Sequence, residues 1–489
     1  MAMMSKDFSS LWAMHSKCAA FALVLLLSGC DIGSDLDDDE DTFRIRSVNL
    51  IEDAATINVL LGDTTIASID YGGGTTFSTG HAGNSEVSLE VVLPTTFDTE
   101  DDDEDPVSIG QPETRTFLKD VPYTLFAYGT LASPKMFFVE GLNQAESVAD
   151  DKVVLQFVHA ATNGPQVDVY VTLPQAGISA PQYVATLNMT EASSPLELTL
   201  TREPDDLDDD TALSGDLTVE LRSVGSSETL YKSNAVTVSE QARILFTVAN
   251  NVAPGPSAIK IVTLVSGSTG EILEKEDDAA LRFVHASPDT PSLDVSVASG
   301  FSTPFAQGIQ FRGISNHINV NSGEVGMIAV PQGDPSTFVF LEEFTATAGT
   351  TFSAYAIGPR SDVDAVVLTD DARSVPTQSK FRFLHAAATL AEQDAIDIYL
   401  RLPGEGVDFD DDDTAPTFTA VSYRSATSYL TYKEASYDVY FAYSGTSTLI
   451  LGPVSFQTQN GDIETLMLLD DENGTHELMP LSDVRVPSE

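Results

Sequence analysis

Three histidines recur in similar surroundings along this chain of 489 residues. His159, His285 and His385 each end a short apolar run, and an aspartate follows in a second short run. An aspartate that orients an imidazole is used both in metal sites and in nucleophilic catalysis. The pairs are therefore the first candidates for chemistry. The aspartates stand nine, nine and twelve residues after the histidines and are Asp168, Asp294 and Asp397.

Strand alternation argues against catalysis by these pairs. It places His285 on an inward face with Phe283, whereas Asp294 lies between the inward residues Leu293 and Val295. The two side chains then point apart unless a bulge intervenes, and no Ser, Cys or second His stands at a fixed spacing nearby. We expect each histidine to hydrogen-bond the backbone of a turn that closes a hairpin, and each aspartate to accept backbone N–H groups. A metal or catalytic role and a pH-sensing role are the alternatives.

Runs of acidic residues are the second candidate for chemistry. Carboxylate oxygens are the ligands that Ca²⁺ takes in extracellular modules. None of the runs has the spacing of a calcium loop with its distal Glu, so solvated acidic loops are the simpler interpretation. The weak Ca²⁺ candidates are Asp101, Asp102, Asp103, Asp208, Asp209, Asp210, Asp410, Asp411 and Asp412.

Composition restricts the classes of partner. The chain has 24 Lys+Arg against 74 Asp+Glu, a formal net charge of −50. The negative electrostatic field of a chain with this charge repels nucleic acid, so we predict no nucleic-acid partner. The hydrophobic fraction of 42% is typical of folded proteins, and the length allows several domains. Because no hydrolase, zinc-protease or phosphate-loop motif occurs, we expect that the chain is not an enzyme.

The N-terminus has the pattern of an export signal. Residues 19–27 form an apolar run that is too short to cross a bilayer, and Lys6 and Lys17 precede it. The run ends in Leu27, Ser28, Gly29 and Cys30. This segment resembles the lipobox of bacterial lipoproteins, in which cleavage precedes the cysteine and the thiol is acylated. An ordinary secretory cleavage site is the alternative.

The lipobox resemblance implies a location in the cell. Residues 1–29 would be removed, acylated Cys30 would bind the membrane, and the acidic segment 30–42 would act as a tether. The expected location is the bacterial cell envelope, facing the periplasm or the cell surface. The signal leaves open which membrane holds the anchor.

Internal repetition organises the rest of the chain. The segments that carry the histidines are similar to one another, and a degenerate first copy has Asn49 and Asn58 at the two polar positions. Val, Thr, Phe, Tyr and Ile dominate short alternating runs with frequent turn signals, which is typical of strands. We predict an all-β chain of about four tandem Ig-like antiparallel β-sandwich modules, linked serially as beads or as a stiff rod. Their expected bounds are 43–150, 151–275, 279–376 and 380–487.

One stretch resembles a known family. The segment Arg-Phe-Val-His-Ala-Ser-Pro-Asp over 282–289, followed by Leu-Asp-Val, is similar to the bacterial envelope repeat known as domain of unknown function 4397. The similarity is best in the third copy and poorest in the first, which lacks the His and the Asp. Because the family has no established activity, the resemblance implies a fold and an address only.

Three functions follow as hypotheses. The first is a lipid-anchored, non-enzymatic binding or spacer protein of the envelope, whose ligand is an unknown protein or glycan. The second is an adhesin or matrix protein stiffened by Ca²⁺. The third is a hydrolase or metal-dependent enzyme that uses the His/Asp pairs. All three share one fold, so the fold alone does not choose among them.

Overall fold

The computed structural model describes residues 41–95, 97, 105–141, 147–201, 212–297, 303–392, 395–409, 414–471 and 473–485. These residues form 34 β-strands and two short 3₁₀ turns, Pro174–Ala176 and Ala388–Leu390. Across these ranges no helix is long and apolar enough to cross a membrane. The predicted all-β class is confirmed.

The strands group into four modules, each built from two facing sheets. Module 1 consists of β1 (Thr42–Ile51), β2 (Thr56–Leu61), β3 (Thr64–Asp70), β4 (Ser78–His81), β5 (Gly83–Val91), β6 (Val107–Phe117), β7 (Pro122–Thr130) and β8 (Ser133–Glu140). Module 2 consists of β9 (Lys152–His159), β10 (Val167–Leu173), β11 (Ile178–Leu187), β12 (Leu196–Thr199), β13 (Ser214–Ser223), β14 (Thr229–Lys232), β15 (Val236–Ser239), β16 (Arg243–Asn250), β17 (Ile259–Val265) and β18 (Ser268–Ile272).

The second half of the chain repeats the plan of the first. Module 3 consists of β19 (Ala279–Ala286), β20 (Leu293–Val297), β21 (Ala306–Ile309), β22 (Ile318–Val320), β23 (Gly323–Pro331), β24 (Phe340–Ala346), β25 (Thr351–Ile357) and β26 (Asp364–Asp370). Module 4 consists of β27 (Ser379–His385), β28 (Ile396–Arg401), β29 (Phe418–Val421), β30 (Leu430–Tyr432), β31 (Ser436–Tyr443), β32 (Leu449–Gln457), β33 (Ile463–Asp470) and β34 (His476–Ser482).

One topology recurs in all four modules. We name the sheet that contains a module's first strand sheet I, and the facing sheet, which contains the second strand, sheet II. In module 3, sheet I has the order β22-β19-β25-β26 and sheet II the order β21-β20-β23-β24. Pairing is antiparallel except between the first strand and one later strand, as in β19 with β25. The modules are therefore antiparallel-rich sandwiches with one parallel pair at the centre of sheet I.

The core of each sandwich lies between its two sheets. In module 3, Leu281 and Phe283 of β19 pack with Leu293 and Val295 of β20, and all four side chains are fully buried. Alternation sends every second residue of each strand to this core. Because the first and second strands lie in different sheets, they do not form the hairpin expected from the sequence. The loop between them instead crosses from sheet I to sheet II.

The modules are also packed in pairs, which differs from beads on a string. Sheet I of module 1 packs on sheet I of module 2, through residues such as Phe126 and Leu264. Sheet I of module 3 packs in the same way on sheet I of module 4, through residues such as Tyr355 and Leu384. First strands are consequently buried on both faces, as in β19, whose eight residues are all buried.

Candidate functional site

The motif histidine of module 2 bonds the backbone of the loop that crosses between the sheets. His159 Nε2 lies 2.9 Å from the carbonyl oxygen of Pro165. Its Nδ1 accepts a hydrogen bond of 3.2 Å from the N–H of Ala161. An Nδ1 that accepts and an Nε2 that donates define one neutral tautomer of the ring. Burial lowers the pKa of His159, which favours that neutral form.

His285 makes the same two contacts in module 3. Its Nε2 lies 3.2 Å from the carbonyl oxygen of Pro291, and its Nδ1 accepts a hydrogen bond of 3.3 Å from the N–H of Ser287. Burial lowers the pKa of His285 as well. The imidazole thus fixes the path of the loop that follows the first strand.

Asparagine takes over half of this arrangement in module 1. Asn49 Oδ1 accepts a hydrogen bond of 3.0 Å from the N–H of Ile51, two residues further on. Asn49 Nδ2 donates to the carbonyl oxygen of Ile69 at 3.1 Å. The substitution therefore keeps the acceptor for the loop N–H and redirects the donor to β3.

The histidine of module 4 departs from the pattern. His385 is 1% exposed, and its Nδ1 has no hydrogen-bond partner among the described residues. Its ring stands edge-on to Tyr423, with ring centres 5.7 Å apart. Burial lowers the pKa of His385 to about 4. A 3₁₀ turn, Ala388–Leu390, follows the histidine here and gives the loop a different path.

A second backbone feature holds the residue at the histidine position in every module. A residue in the turn after the third strand donates its N–H to the carbonyl oxygen of Asn49, His159, His285 or His385. That residue has a left-handed backbone with φ between 62° and 75° in all four modules. Glycine adopts this conformation readily, whereas other residues pay a steric cost. The donors are Gly72, Thr190, Arg312 and Arg424.

The motif aspartates of modules 2 and 3 accept hydrogen bonds on sheet II. Asp294 accepts from the N–H of Gly308 at 2.7 Å and from the N–H of Gly333 at 3.2 Å. Asp168 accepts from the N–H of Gly225 at 3.2 Å and from a threonine hydroxyl of β11. These carboxylates thus stabilise turns beside the second strand.

Asp397 does the same in module 4. It accepts hydrogen bonds from the N–H groups of Ala420 at 2.8 Å and Gly445 at 2.9 Å, and from the hydroxyl of Ser444 at 2.8 Å. In modules 2 and 3 the histidine bonds the loop between the sheets, whereas the aspartate bonds turns beside sheet II, so the two side chains have separate partners. This arrangement does not form a His–Asp dyad.

A buried charge network joins modules 3 and 4, and sequence reasoning did not identify it. Arg382 of β27 donates from Nε to Thr465 Oγ1 at 2.8 Å, from a terminal nitrogen to the carbonyl oxygen of Thr369 at 2.7 Å, and from the other to Asp370 at 2.5 Å. Asp370 also accepts from the hydroxyl of Ser353. The Asp370 side chain is 0% exposed and the Arg382 side chain 5% exposed.

The same network is formed in the reverse direction across the junction. Arg282 of β19 donates to Ser353 Oγ at 2.6 Å and to the carboxylate of Asp483 in module 4. Asp483 in turn accepts from Thr465 Oγ1 at 2.6 Å. The junction is therefore pseudo-twofold, because each module contributes one arginine and one aspartate. The signal available in the sequence was an arginine three residues before the histidine in both copies.

At the arginine positions of modules 1 and 2, most of the contacts of this network are not formed among the described residues. Arg46 keeps the position in module 1 and donates from Nε to Thr124 Oγ1 at 2.9 Å. Its two terminal nitrogens have no hydrogen-bond partner among the described residues, and the guanidinium lies 4.9 Å from the ring centre of Phe77. Burial lowers the pKa of Arg46 to about 10. Module 2 has Gln156 at the corresponding position.

Two buried groups at the junction of modules 3 and 4, Asp370 and His317, have shifted pKa values. Burial, together with the neighbouring Asp483 carboxylate, raises the pKa of Asp370 to about 6. Burial and the nearby charges of Arg282 and Arg485 lower the pKa of His317 to about 4. The network thus holds ionisable groups where water does not reach them.

Several sequence predictions fall outside the described residues. They include the lipobox, Cys30 and all nine weak Ca²⁺ candidates. Within the ranges that the structure describes, no group of three or more His, Cys, Asp or Glu side chains is placed to hold a metal ion. The Ca²⁺ hypothesis therefore stays a prediction.

The architecture defines a class of tandem β-sandwich repeat proteins in which a polar residue at the end of the first strand bonds the loop to the facing sheet. This residue is a histidine in modules 2 and 3 and an asparagine in module 1. The family model for a domain of unknown function, DUF4397, matches residues 43–170 and 279–399, together about half of the chain. The chain belongs to the DUF4397 family, as the sequence resemblance predicted. No curated protein matches the sequence.

Three of the solved structures that match are distant likenesses. The TIE protein of Bacillus anthracis is 8% identical, with 92% of this chain and 76% of that chain covered and a TM-score of 0.16. A family 26 carbohydrate-binding module of Eubacterium rectale, in complex with maltoheptaose, is 13% identical, with 44% and 96% covered and a TM-score of 0.14. A streptococcal ancillary pilin is 8% identical, with 62% and 95% covered and a TM-score of 0.14. None is similar enough to assign a function.

Proposed function

We propose that this protein is a lipid-anchored, non-enzymatic binding or spacer protein of the bacterial cell envelope. The observation that carries the proposal is the use of the repeated polar residues. The histidines at 159 and 285 and the aspartates at 168, 294 and 397 bond loops and turns, and the arginines at 282 and 382 lock two modules together. Such residues build a stiff scaffold.

Face-to-face module pairs support a scaffold role. Each junction buries apolar side chains from both sheets I, for example Val284 and Met467 between modules 3 and 4. A buried interface of this kind resists the relative motion that is usual between loosely linked domains. Loops at the module ends are then held in fixed positions, as a binding surface requires.

The anchor is tested with a single substitution. Cys30→Ala removes the thiol that would carry the acyl chains, so the full-length chain should move from the membrane fraction to the soluble fraction of a bacterial host that processes lipoproteins. Incorporation of a clickable palmitate analogue should be lost at the same time. The matched control is Cys18→Ala, because this other cysteine lies in the segment expected to be removed.

The two readouts decide whether Cys30 carries the lipid anchor. Membrane association and label that persist in Cys30→Ala would contradict the lipid anchor at this residue. Loss of label in Cys18→Ala as well would indicate a general export defect, and the anchor assignment would then fail. Loss in Cys30→Ala alone supports the proposal.

A further inference from the structure

The junction of modules 1 and 2 contains a groove where the junction of modules 3 and 4 is filled. In modules 3 and 4 the filling groups are Arg382 and Asp370, which meet between β27 and the end of β26. Gln156 replaces the arginine, three residues before its motif histidine, and Gly141 replaces the aspartate after β8. A groove of about 430 Å³ lies at this place, lined by Gln156, by residues 138–140 of β8 and by residues 190 and 192–195.

A buried amide side chain with an unpaired oxygen lies at the base of the groove. Gln156 lines it and is only 3% exposed. Its Nε2 donates to the carbonyl oxygen of Ser193 at 2.9 Å, whereas its Oε1 has no hydrogen-bond partner among the described residues. A buried polar atom without a partner costs free energy. This oxygen is itself buried, so a water or ligand donor reaches it only when the neighbouring side chains shift.

A second groove continues from the first along the open edge of module 2. It measures about 690 Å³ and shares residues 192–195 with the first groove. Tyr183 borders it, with 52% of its surface exposed, and stands edge-on to Tyr170 at 5.8 Å between ring centres. Together the two grooves exceed the size of a usual small-molecule site, so they suit an extended ligand.

The lining indicates the class of that ligand. The two grooves are lined by hydroxyl, carboxylate and amide groups and by one exposed aromatic ring. The polar residues include Ser194, Thr190, Glu140 and Glu191. A sugar chain offers many hydroxyl groups for such acceptors and apolar ring faces for a tyrosine. The two carboxylates and the net charge of −50 oppose polyanions.

A peptide that adds as a strand fits this place poorly. The strands that border the groove, β11 and β12, are edge strands of sheets II and I. Pro181 lies within β11, and Pro195 immediately precedes β12. Proline has no N–H to donate, and its presence on an edge opposes strand addition.

From these observations we infer that the continuous groove between β8, β11 and β12 binds a neutral oligosaccharide. The inference deepens the proposed binding role and rests on it. Tyr183 supplies the ring on which a sugar packs, Ser194 lies in the part shared by both grooves, and Gln156 lies at the base.

Affinity electrophoresis tests the inference. The full-length chain, purified in a detergent without a sugar headgroup, is run in native gels that contain amylopectin, dextran, galactomannan or xyloglucan. We expect retardation in at least one gel. Tyr183→Ala should weaken the apparent affinity about tenfold, because loss of one aromatic contact lowers an affinity by about that factor. Ser194→Trp, which fills the shared part, should abolish retardation.

Controls separate binding from folding. Tyr183→Phe keeps the ring and should keep most of the retardation. Phe338→Ala removes an aromatic ring that is 60% exposed in module 3 and should change nothing. All variants should keep the thermal midpoint of the wild type, because the changed side chains are exposed.

The inference is overturned by any of three results. These are no retardation in all four gels, retardation that survives both Tyr183→Ala and Ser194→Trp, or binding to arrayed peptides in place of the polysaccharides. Each leaves the membrane anchor untouched, because the fractionation of Cys30→Ala measures the anchor independently.

Discussion

The junction of modules 3 and 4 should lose much of its stability when Arg382 is replaced by methionine. Methionine keeps the long apolar stem but removes the guanidinium, which makes three hydrogen bonds of 2.5–2.8 Å. Asp370 would keep the hydroxyl of Ser353, and its remaining cation would be Arg282 at 3.9 Å. Removing one partner of a buried ion pair costs about 3–5 kcal/mol, because the other charge stays buried.

The measurement is urea unfolding of the full chain, combined with hydrogen exchange detected by mass spectrometry. Exchange should rise in β26, β27 and β33, which meet at the junction, and less in module 1. Adding Asp370→Asn to Arg382→Met removes the orphaned charge, so the double variant should be more stable than the single variant. Lys119→Met breaks an exposed ion pair of 2.8 Å and should leave the unfolding midpoint unchanged.

The reasoning would be refuted by a loss below about 1 kcal/mol in Arg382→Met, the range expected of a surface pair. An equal loss in the single and double variants would also contradict it, since the orphaned carboxylate would then cost nothing. Increased exchange confined to regions away from the junction would show that the arginine acts elsewhere.

Three further predictions concern the motif histidines, pH and Ca²⁺. His285→Ala should destabilise the full chain by about 2–4 kcal/mol in urea, while His285→Asn should cost less because its oxygen can accept the same N–H that Asn49 accepts in module 1. In the folded chain His317 and His385 have pKa values of about 4, below the ordinary 6.5. The unfolded chain therefore binds more protons between pH 4 and 6.5. The stability that the two neutral histidines confer is complete above pH 6.5 and is lost as the pH falls towards 4. Chemical denaturation at pH 7 and 4.5 should therefore show a smaller difference in His317→Gln/His385→Asn than in the wild type, and equal differences would refute this. Millimolar Ca²⁺ should leave the thermal midpoint measured in EDTA unchanged, because no acidic run has calcium-loop spacing; a rise of many degrees would instead favour the Ca²⁺-stiffened adhesin.

Local pattern was sufficient for the class of fold and for the faces of the motif strands. Alternation placed Phe283 inward, and the inward Leu293 and Val295 placed Asp294 on the opposite face of its strand, as the core of module 3 shows. Repetition of the same histidine segment revealed the tandem organisation, which the family match supports. These features follow from the two-residue period of a strand, which is written directly in the sequence.

Local pattern could not predict which strands pair with one another. The sequence suggested that the first and second strands form a hairpin, whereas they lie in facing sheets and the first strand pairs in parallel with β25 in module 3. A short loop can turn back along one sheet or cross to the other, and both choices keep the same alternation. Long-range pairing with a distant strand decides between them.

What the sequence by itself determined was therefore the kind of strand, the repeat and the side on which each motif residue lies. Only the tertiary structure decided what covers the other side. Arg282, Val284 and Ala286 alternate away from the core and could equally face water, but they pack against module 4. The physical reason is that alternation assigns residues to two faces, while burial of the second face depends on distant residues such as Leu384, 100 positions after Val284 in the chain.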